Sequence, residues 1–234
     1  MMMNKMDFVT FSECGNRWEN QDCYRVLEQQ ERSLFLICDG MGKHYHGSLS
    51  SKTVCDAIEN FWKQNEAYAD CTEKVQEACR IASVALDKCA DELGRAEMGT
   101  TMVMASVEGT KVTIAHCGDS RCYLLRPEED LIFQTKDHIK LSFGWEVLVN
   151  SFFSYRSDKL VPEIHQFELK EGDRLFLCSD GVYKSVKTET LITCLLENKT
   201  IEWVADKLKF LCEKNMDDNY TGIILNIGGK HTKP

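Results

Sequence analysis

Aspartate residues recur along this chain where an apolar segment gives way to a turn. Asp39 follows the apolar residues 34–38 and Asp180 follows residues 175–179, and a glycine comes directly after each aspartate. Further aspartates in strand or turn contexts are Asp22, Asp119 and Asp218. Carboxylates that converge at the edge of a sheet repel one another unless cations neutralise them. The pattern therefore predicts a site for hard divalent cations such as magnesium or manganese.

The segments that must position these aspartates come in blocks of strands and blocks of helices. Short apolar segments between polar turns predict strands at residues 8–12, 23–27, 34–38, 100–106, 111–117, 121–126, 131–134, 163–169, 175–179 and 221–227. Apolar residues at helical spacing predict helices over about residues 49–63, 72–93, 187–197 and 201–214. Residues 137–158 have no clean period, and Gly94 is a plausible stop for the second helix. This order predicts an α+β fold in a single domain that spans residues 1–234.

The composition limits the classes of protein to which the chain can belong. A length of 234 residues with 43% hydrophobic content is enough for one domain with a substantial core. The net charge of −9 and the pI of about 5.2 argue against a nucleic-acid binder that neutralises phosphates. A phosphate-binding site on such a chain must therefore be made locally positive by metal ions or by a placed arginine.

The cysteines and the amino terminus indicate the compartment. The 12 cysteines include no Cys-x-x-Cys pair, which argues against zinc-ribbon and thioredoxin-like sites. Several cysteines lie in apolar segments, where a free thiol packs as a small hydrophobic group. The first residues contain no apolar signal region, and no apolar run approaches about 18 residues. We therefore expect a cytoplasmic protein with reduced thiols, no membrane span and no nucleic-acid partner.

Segments around these aspartates, taken in order, carry a resemblance to a known family. They are Gly-Asn-Arg-Trp-Glu-Asn-Gln-Asp (15–22), Asp-Gly-Met-Gly (39–42), Gly-Asp-Ser-Arg (118–121), Ser-Asp-Gly (179–181) and Asp-Asp-Asn-Tyr-Thr (217–221). In this order they resemble the metal-dependent protein phosphatases of the type 2C class, the PPM family, especially its small bacterial members. The resemblance covers about residues 7–228. It implies a four-layer α-β-β-α sandwich of two mainly antiparallel sheets flanked by helices.

The resemblance also implies a reaction and a set of metal ligands. It implies a serine/threonine protein phosphatase that hydrolyses phosphoserine and phosphothreonine with a metal-activated water. Asp39 matches the aspartate that bridges two manganese or magnesium ions, and the carbonyl of Gly40 matches a ligand of one ion. Asp180 and Asp218 match ligands of the second ion, and Asp22 matches a residue that holds metal-bound waters. Phosphoprotein substrates and an opposing serine/threonine kinase are the partners that this resemblance implies.

Two basic residues and one further aspartate bear on phosphate and metal binding. Arg17 matches the family arginine that grips the substrate phosphate, and its guanidinium fork suits a tetrahedral phosphate. Asp119 matches a ligand of a third, weaker ion. Lys184 stands where many relatives place an acidic or amide ligand, and its charge argues against full occupancy of that third site. Asp119 can instead pair with Arg121 or cap the turn.

Other residues near the predicted site depart from the family pattern. Gln21 stands where a glutamate is often found, which removes a charge beside the first metal site. Met41 stands where animal-type relatives have a histidine that protonates the leaving group, and methionine has no proton to give. His44, His46 and His138 are alternative acids, although a structural hydrogen bond is the more economical role for each.

The segment after His138 is shorter than the flap that bacterial relatives insert there. Aromatic residues at 143–145 and 152–155 follow almost directly, and we expect them to form an exposed or partner-covered patch. The short flap predicts a site that is open to varied phosphoproteins. Residues 99–101, Gly-Thr-Thr, also match the family, and we expect their hydroxyls to bond the backbone near the site.

Two other classes of protein fit part of the pattern. Four departures favour a catalytically weak, phosphatase-like regulatory binding module: Gln21, Lys184, the short flap, and Lys43, which stands where the family usually has a second glycine. The intact aspartates at 39, 180 and 218 oppose it. A phosphohydrolase with an aspartyl nucleophile needs a second aspartate two residues after the first, and position 41 is methionine. A metal-dependent phosphatase is therefore the leading interpretation.

Overall fold

The computed structural model describes residues 6–29, 32–41, 46–65, 71–215 and 217–228. Its strands are β1 Met6–Glu13, β2 Asp22–Glu28, β3 Arg32–Met41, β4 Gly99–Thr100, β5 Met102–Glu108, β6 Lys111–Cys117, β7 Arg121–Arg126, β8 Asp130–Gln134, β9 Ile139–Ser142, β10 Trp145–Leu148, β11 Phe152–Phe153, β12 Glu163–Glu168, β13 Arg174–Cys178 and β14 Tyr220–Ile227. Its α-helices are α1 His46–Gln64, α2 Cys71–Glu92, α3 Asp180–Ser185, α4 Thr188–Leu196 and α5 Ile201–Cys212. The predicted α+β order is therefore confirmed over the described residues.

The strands form two large sheets and one separate hairpin. One sheet has five strands in the order β1-β14-β13-β7-β8. The other has seven, in the order β11-β4-β3-β5-β6-β12 with β2 paired to β3, while β9 and β10 form the two-stranded hairpin. All the pairings between these strands are antiparallel. Two mainly antiparallel sheets are what the family resemblance implies.

The two sheets pack face to face, and helices cover their outer faces. Phe35 of β3 and Leu177 of β13 belong to the buried cluster between the sheets. Val54 of α1 packs in a second cluster with the other face of β3, and Leu208 of α5 packs in a third with the other face of β13. The alternation of side chains along a strand makes this possible, because a buried strand presents apolar residues to both faces. The predicted four-layer sandwich is therefore confirmed.

The helices follow the sequence prediction closely. Helix α2 ends at Glu92, and Gly94 follows with φ of +70°, a conformation that glycine adopts without a steric penalty. This confirms the predicted stop. None of the described helices is both long enough and apolar enough to cross a membrane.

Two elements are not predicted by the sequence pattern. Helix α3 has only 6 residues, which is too short for a helical period to show. The hairpin β9–β10 lies within residues 137–158, for which no period was evident. The expected aromatic patch is correct for Phe143 and Trp145, whose side chains are 101% and 77% exposed. It is wrong for Phe152, whose side chain is buried in the cluster that also contains Val54 of α1 and Ala78 of α2.

Candidate active site

The aspartates singled out in the sequence converge at one edge of the sandwich. Asp22 begins β2 and lies directly opposite Asp39 of β3 in the sheet register. Asp180 begins α3 just after β13, Asp218 precedes β14, and Asp119 lies between β6 and β7. The charges of Asp22, Asp119 and Asp180 act on Asp39, and that of Asp218 acts on Asp22. We call these five residues the carboxylate edge.

Burial and repulsion from neighbouring carboxylates disfavour the ionised form of Asp22, Asp39 and Asp119. Burial, and then the charge of Asp22, hold the pKa of Asp39 well above its usual range. Burial raises the pKa of Asp22 to about 7, although a hydrogen bond from Ser179 opposes the shift. Burial, and then Asp180, raise the pKa of Asp119 to about 6. A bound cation would relieve this repulsion and restore the ionised carboxylates.

The two carboxylate oxygens of Asp22 are in different surroundings. Oδ2 accepts a hydrogen bond of 2.7 Å from Ser179 Oγ, which itself accepts one of 3.0 Å from the backbone N–H of Thr221. Oδ1 is shielded from solvent and has no hydrogen-bond partner among the described residues. An unpaired buried carboxylate oxygen is costly in free energy. This oxygen therefore fits a metal ion or a water that such an ion holds.

The backbone of Asp39 is fixed from both sides. Its N–H donates to Thr101 Oγ1 at 3.0 Å, and its carbonyl accepts from Thr100 Oγ1 at 2.8 Å and from the Thr101 N–H at 2.9 Å. The prediction that these threonine hydroxyls bond the backbone near the site is confirmed. The carboxylate of Asp39 is thus carried by a main chain that has little freedom to move.

Glycines follow the two strand-end aspartates because other segments approach there closely. A Cβ on Gly40 would lie 2.0 Å from the carbonyl oxygen of Gly47, in the first turn of α1. A Cβ on Gly181 would lie 1.9 Å from the carbonyl oxygen of Asn219. Backbone atoms at such distances cannot be displaced cheaply. Any larger residue at either position would therefore push a neighbouring segment away from the carboxylate edge.

Arg17 reaches the carboxylate edge from the loop between β1 and β2. Its Nη2 donates to Asp218 Oδ2 at 3.0 Å, and the two side chains are 53% and 41% exposed. An ion pair this exposed contributes little to stability. The guanidinium is therefore available to an incoming anion at the rim of the site.

Asn219, which sequence reasoning does not single out, holds this loop in place. Its Nδ2 donates to the carbonyls of Cys14 and Glu19 at 2.8 and 2.9 Å, and its Oδ1 accepts from the Gln21 N–H at 2.9 Å. The local signal is an asparagine in an Asp-Asn turn before a strand, which is a common turn residue. Its partners lie about two hundred positions away, so the sequence does not reveal them.

The structure tests one alternative role for Asp119, the pairing with Arg121. Arg121 does not pair with it, because the Arg121 guanidinium binds Asp137 through two hydrogen bonds of 2.8 and 2.7 Å. That alternative is therefore wrong. Lys184 Nζ instead lies 3.9 Å from Asp119 Oδ2 and donates to Asp180 Oδ2 at 2.6 Å.

His138, a candidate acid, is engaged in structural hydrogen bonds. Its Nδ1 accepts from the Gly118 N–H at 3.2 Å, so the neutral ring carries its proton on Nε2, which lies 3.1 Å from Glu163 Oε2. Its ring stacks on His116 with the centroids 4.4 Å apart. The structural role expected for His138 is therefore confirmed. His44 and Lys43 lie outside the described residues.

A cavity of about 360 Å³ opens at the carboxylate edge. It is lined by Arg17, Trp18, Glu19, Gln21, Asp39, Gly40, Met41, Asp180, Asp218 and Asn219. Carboxylate and carbonyl oxygens are the ligands that manganese and magnesium take. The donor set and the unpaired Asp22 Oδ1 fit two divalent cations, while the arginine on the rim fits a phosphate.

Comparison with known proteins shows the family. A sequence profile described as Protein phosphatase 2C matches residues 14–219. Because the match covers most of the chain, the protein belongs to the protein phosphatase 2C family. It is therefore a metal-dependent protein serine/threonine phosphatase by family.

Individual relatives agree with this assignment over nearly the whole chain. The serine/threonine phosphatase Stp of Listeria innocua is 27% identical over 238 residues, which cover 89% of this chain and 90% of that protein. The crystal structure of Stp1 from Staphylococcus aureus aligns with a TM-score of 0.84 at 25% identity, covering 98% of each chain. The catalytic domain of PstP, solved with two manganese ions, aligns with a TM-score of 0.79 at 27% identity, covering 96% and 99%.

Proposed function

We propose that this phosphatase removes phosphate from phosphoserine and phosphothreonine of protein substrates with two divalent ions, manganese or magnesium, at its carboxylate edge. The observation that carries the proposal is the convergence of Asp39, Asp180 and Asp218 on a cavity whose rim holds Arg17. The PstP relative, which contains two manganese ions, supports the choice of metal.

Each member of the carboxylate edge has a proposed role in holding the ions. Asp39 is close enough to Asp22 and Asp180 for both charges to act on it, and it would bind both ions, with the carbonyl of Gly40 as a further ligand. Asp180 and Asp218 would be further ligands of the second ion, and Asp22 would hold water that is bound to the ions. When bound, such a pair of ions activates a water as the nucleophile and offsets the charge that develops on the phosphoryl group.

Arg17 is the proposed phosphate-binding residue. Its guanidinium is half exposed and lines the same cavity as Asp39. A guanidinium donates two parallel hydrogen bonds to a phosphate, which fixes its orientation as well as its position. Asn219 would keep this arginine in place, since it binds the loop that carries Arg17 on both sides.

The described residues that line the cavity include no histidine that could protonate the leaving alkoxide. Met41 has no proton to give, and His138 is held by Gly118 and Glu163. Asp119 has a pKa raised to about 6 by burial and Asp180, but it is not among the lining residues. Among the residues that the structure describes, this leaves solvent as the proposed source of the leaving-group proton.

The remaining parts of the proposal concern the cellular setting. A serine/threonine kinase that phosphorylates the same proteins would be the opposing partner in signalling. The cysteines among the described residues are free, which supports a reducing compartment such as the cytoplasm. The core shared by both sheets supports a single phosphatase domain over residues 1–234.

The test is hydrolysis of a phosphothreonine peptide by wild type, Asp180→Asn and Asp206→Asn, each with manganese and with EDTA. Asp206 is the matched control, because it is 73% exposed on α5 and pairs only at the surface with Lys209. We expect manganese-dependent turnover by the wild type and by Asp206→Asn, and its loss in Asp180→Asn and in EDTA.

Folded, manganese-loaded wild type without turnover on any phosphopeptide would contradict the proposal. That result would favour the regulatory binding module, for which Gln21 and Lys184 are the supporting departures from the family. Equal turnover of phosphotyrosine and phosphothreonine peptides would contradict the proposed substrate class alone.

A further inference from the structure

Lys184 lies between two members of the carboxylate edge. Its Nζ donates to Asp180 Oδ2 at 2.6 Å and is 3.9 Å from Asp119 Oδ2. The two carboxylates are 15% and 13% exposed, whereas the lysine side chain is 51% exposed. One ammonium group thus enters from the solvent side and faces two largely buried carboxylates.

The local fold directs Lys184 towards Asp180 and keeps the Arg121 guanidinium away from Asp119. Asp180 and Lys184 are four residues apart in α3, so their side chains lie on the same face of the helix. Arg121, two positions after Asp119, stacks on the ring of Tyr183 at 3.5 Å and pairs with Asp137. The arginine nearest to Asp119 in sequence is therefore engaged elsewhere.

The residues present do not fit a third divalent ion at this place. The Lys184 side chain ends in an ammonium group, which carries a full positive charge near neutral pH and already donates to Asp180. A divalent cation between the same two carboxylates would lie within a few ångströms of this ammonium. Like charges so close repel strongly in a partly buried site.

We infer that the Lys184 ammonium takes the place of a third divalent ion between Asp119 and Asp180, so that the enzyme binds two ions and not three. The inference rests on the proposed function, because it assumes two ions at the rest of the carboxylate edge. Lys184 then acts as a positioning residue that holds one carboxylate oxygen of Asp180. A tethered ammonium is not removed by chelation or dilution, so metal activation depends on two ions alone.

The test is a calorimetric titration of EDTA-stripped protein with manganese for wild type, Lys184→Asp and Lys187→Asp. Lys187 is a matched control, since it is exposed just before α4 and undergoes the same change of charge. We expect two ions for wild type and for Lys187→Asp, and three for Lys184→Asp. Turnover of a phosphothreonine peptide should rise with manganese in one phase for wild type and in two phases for Lys184→Asp.

Circular dichroism establishes that each variant is folded, and Lys184→Asn replaces Lys184→Asp if the latter is not. Three ions bound by wild type, or two bound by folded Lys184→Asp and Lys184→Asn, would overturn the inference and leave the proposed function intact. Wild type that binds no manganese and has no turnover would overturn the proposed function, and the inference with it.

Discussion

The carboxylate edge and the hairpin β9–β10 differ in how their residues are held and exposed, although Met41 lines a cavity beside each of them. At the carboxylate edge, the N–H and the carbonyl of Asp39 are bonded by Thr100 and Thr101. At the tip of the hairpin, Phe143 is 101% exposed and has a φ of +51°. One region is fixed by buried contacts, and the other presents apolar side chains to solvent.

This difference predicts that the chemistry and the contact with substrate depend on different regions. A phenylalanine with positive φ costs about 1–2 kcal/mol, and a fully exposed ring gains no burial to offset that cost. Stability therefore does not explain the hairpin tip. A cavity of about 430 Å³ lies between the hairpin and Arg156 and shares Met41 with the active site. We expect metal binding to depend on the carboxylate edge and contact with the peptide chain to involve the hairpin.

The largest effect is expected from Asp39→Asn. Because this change removes the charge at the centre of the carboxylate edge, we expect kcat/KM for p-nitrophenyl phosphate to fall by about 10²–10³-fold. In EDTA the same variant should melt at a higher temperature than wild type, since a buried repulsion is gone. Turnover within tenfold of wild type would mean that the carboxylate edge is not the reaction centre.

A smaller loss is expected from Arg17→Ala. Charge-assisted hydrogen bonds contribute about 1.5–3 kcal/mol, which corresponds to a decrease in kcat/KM of roughly ten- to a hundredfold. Inhibition by inorganic phosphate should weaken in parallel. Arg80→Ala, an exposed arginine of α2, is the control and should change neither quantity. Unchanged phosphate inhibition in Arg17→Ala would remove this residue from the proposed site.

The metal-free protein should lose stability as the pH rises. The folded-state pKa of Asp22, raised to about 7 by burial, lies above its unfolded value of 3.8. Its contribution is thus complete below about pH 4 and is lost as the pH rises through about 7. We expect the EDTA-treated protein to melt about 5 °C lower at pH 8 than at pH 5. Asp22→Asn should reduce this difference, and a difference of the opposite sign in wild type would contradict the electrostatic account.

The smallest effect on chemistry is expected from changes in the hairpin. Trp145→Ser should leave hydrolysis of p-nitrophenyl phosphate within about twofold and stability within about 0.5 kcal/mol, because the side chain is 77% exposed. The KM for a phosphoprotein such as phosphorylated casein should rise. Phe143→Asn should stabilise the protein by a few tenths of a kcal/mol, since asparagine tolerates a positive φ. Equal losses of activity on both substrates would mean that the hairpin and the carboxylate edge act as one functional unit.

The sequence predicts the carboxylate edge better than it predicts the hairpin β9–β10. Strands β3 and β13 contain continuous apolar runs, and Asp39 follows the run in β3 while Asp180 lies two residues after β13, so the runs and the carboxylates are both visible locally. The bonds of Asn219 to Cys14 and Glu19 join distant parts of the chain, which no local pattern encodes. For the same reason, no local pattern predicts the pairing of Arg121 with Asp137. The sequence does not predict the hairpin because the hairpin packs little apolar surface, so its residues do not alternate between buried and exposed positions.

The most direct test of the carboxylate edge is to titrate EDTA-stripped wild type with manganese by calorimetry while following turnover of a phosphothreonine peptide. The account predicts two bound ions and a rate that rises with their occupancy. A folded protein that binds no manganese, or that turns over the peptide equally well in EDTA, would contradict it.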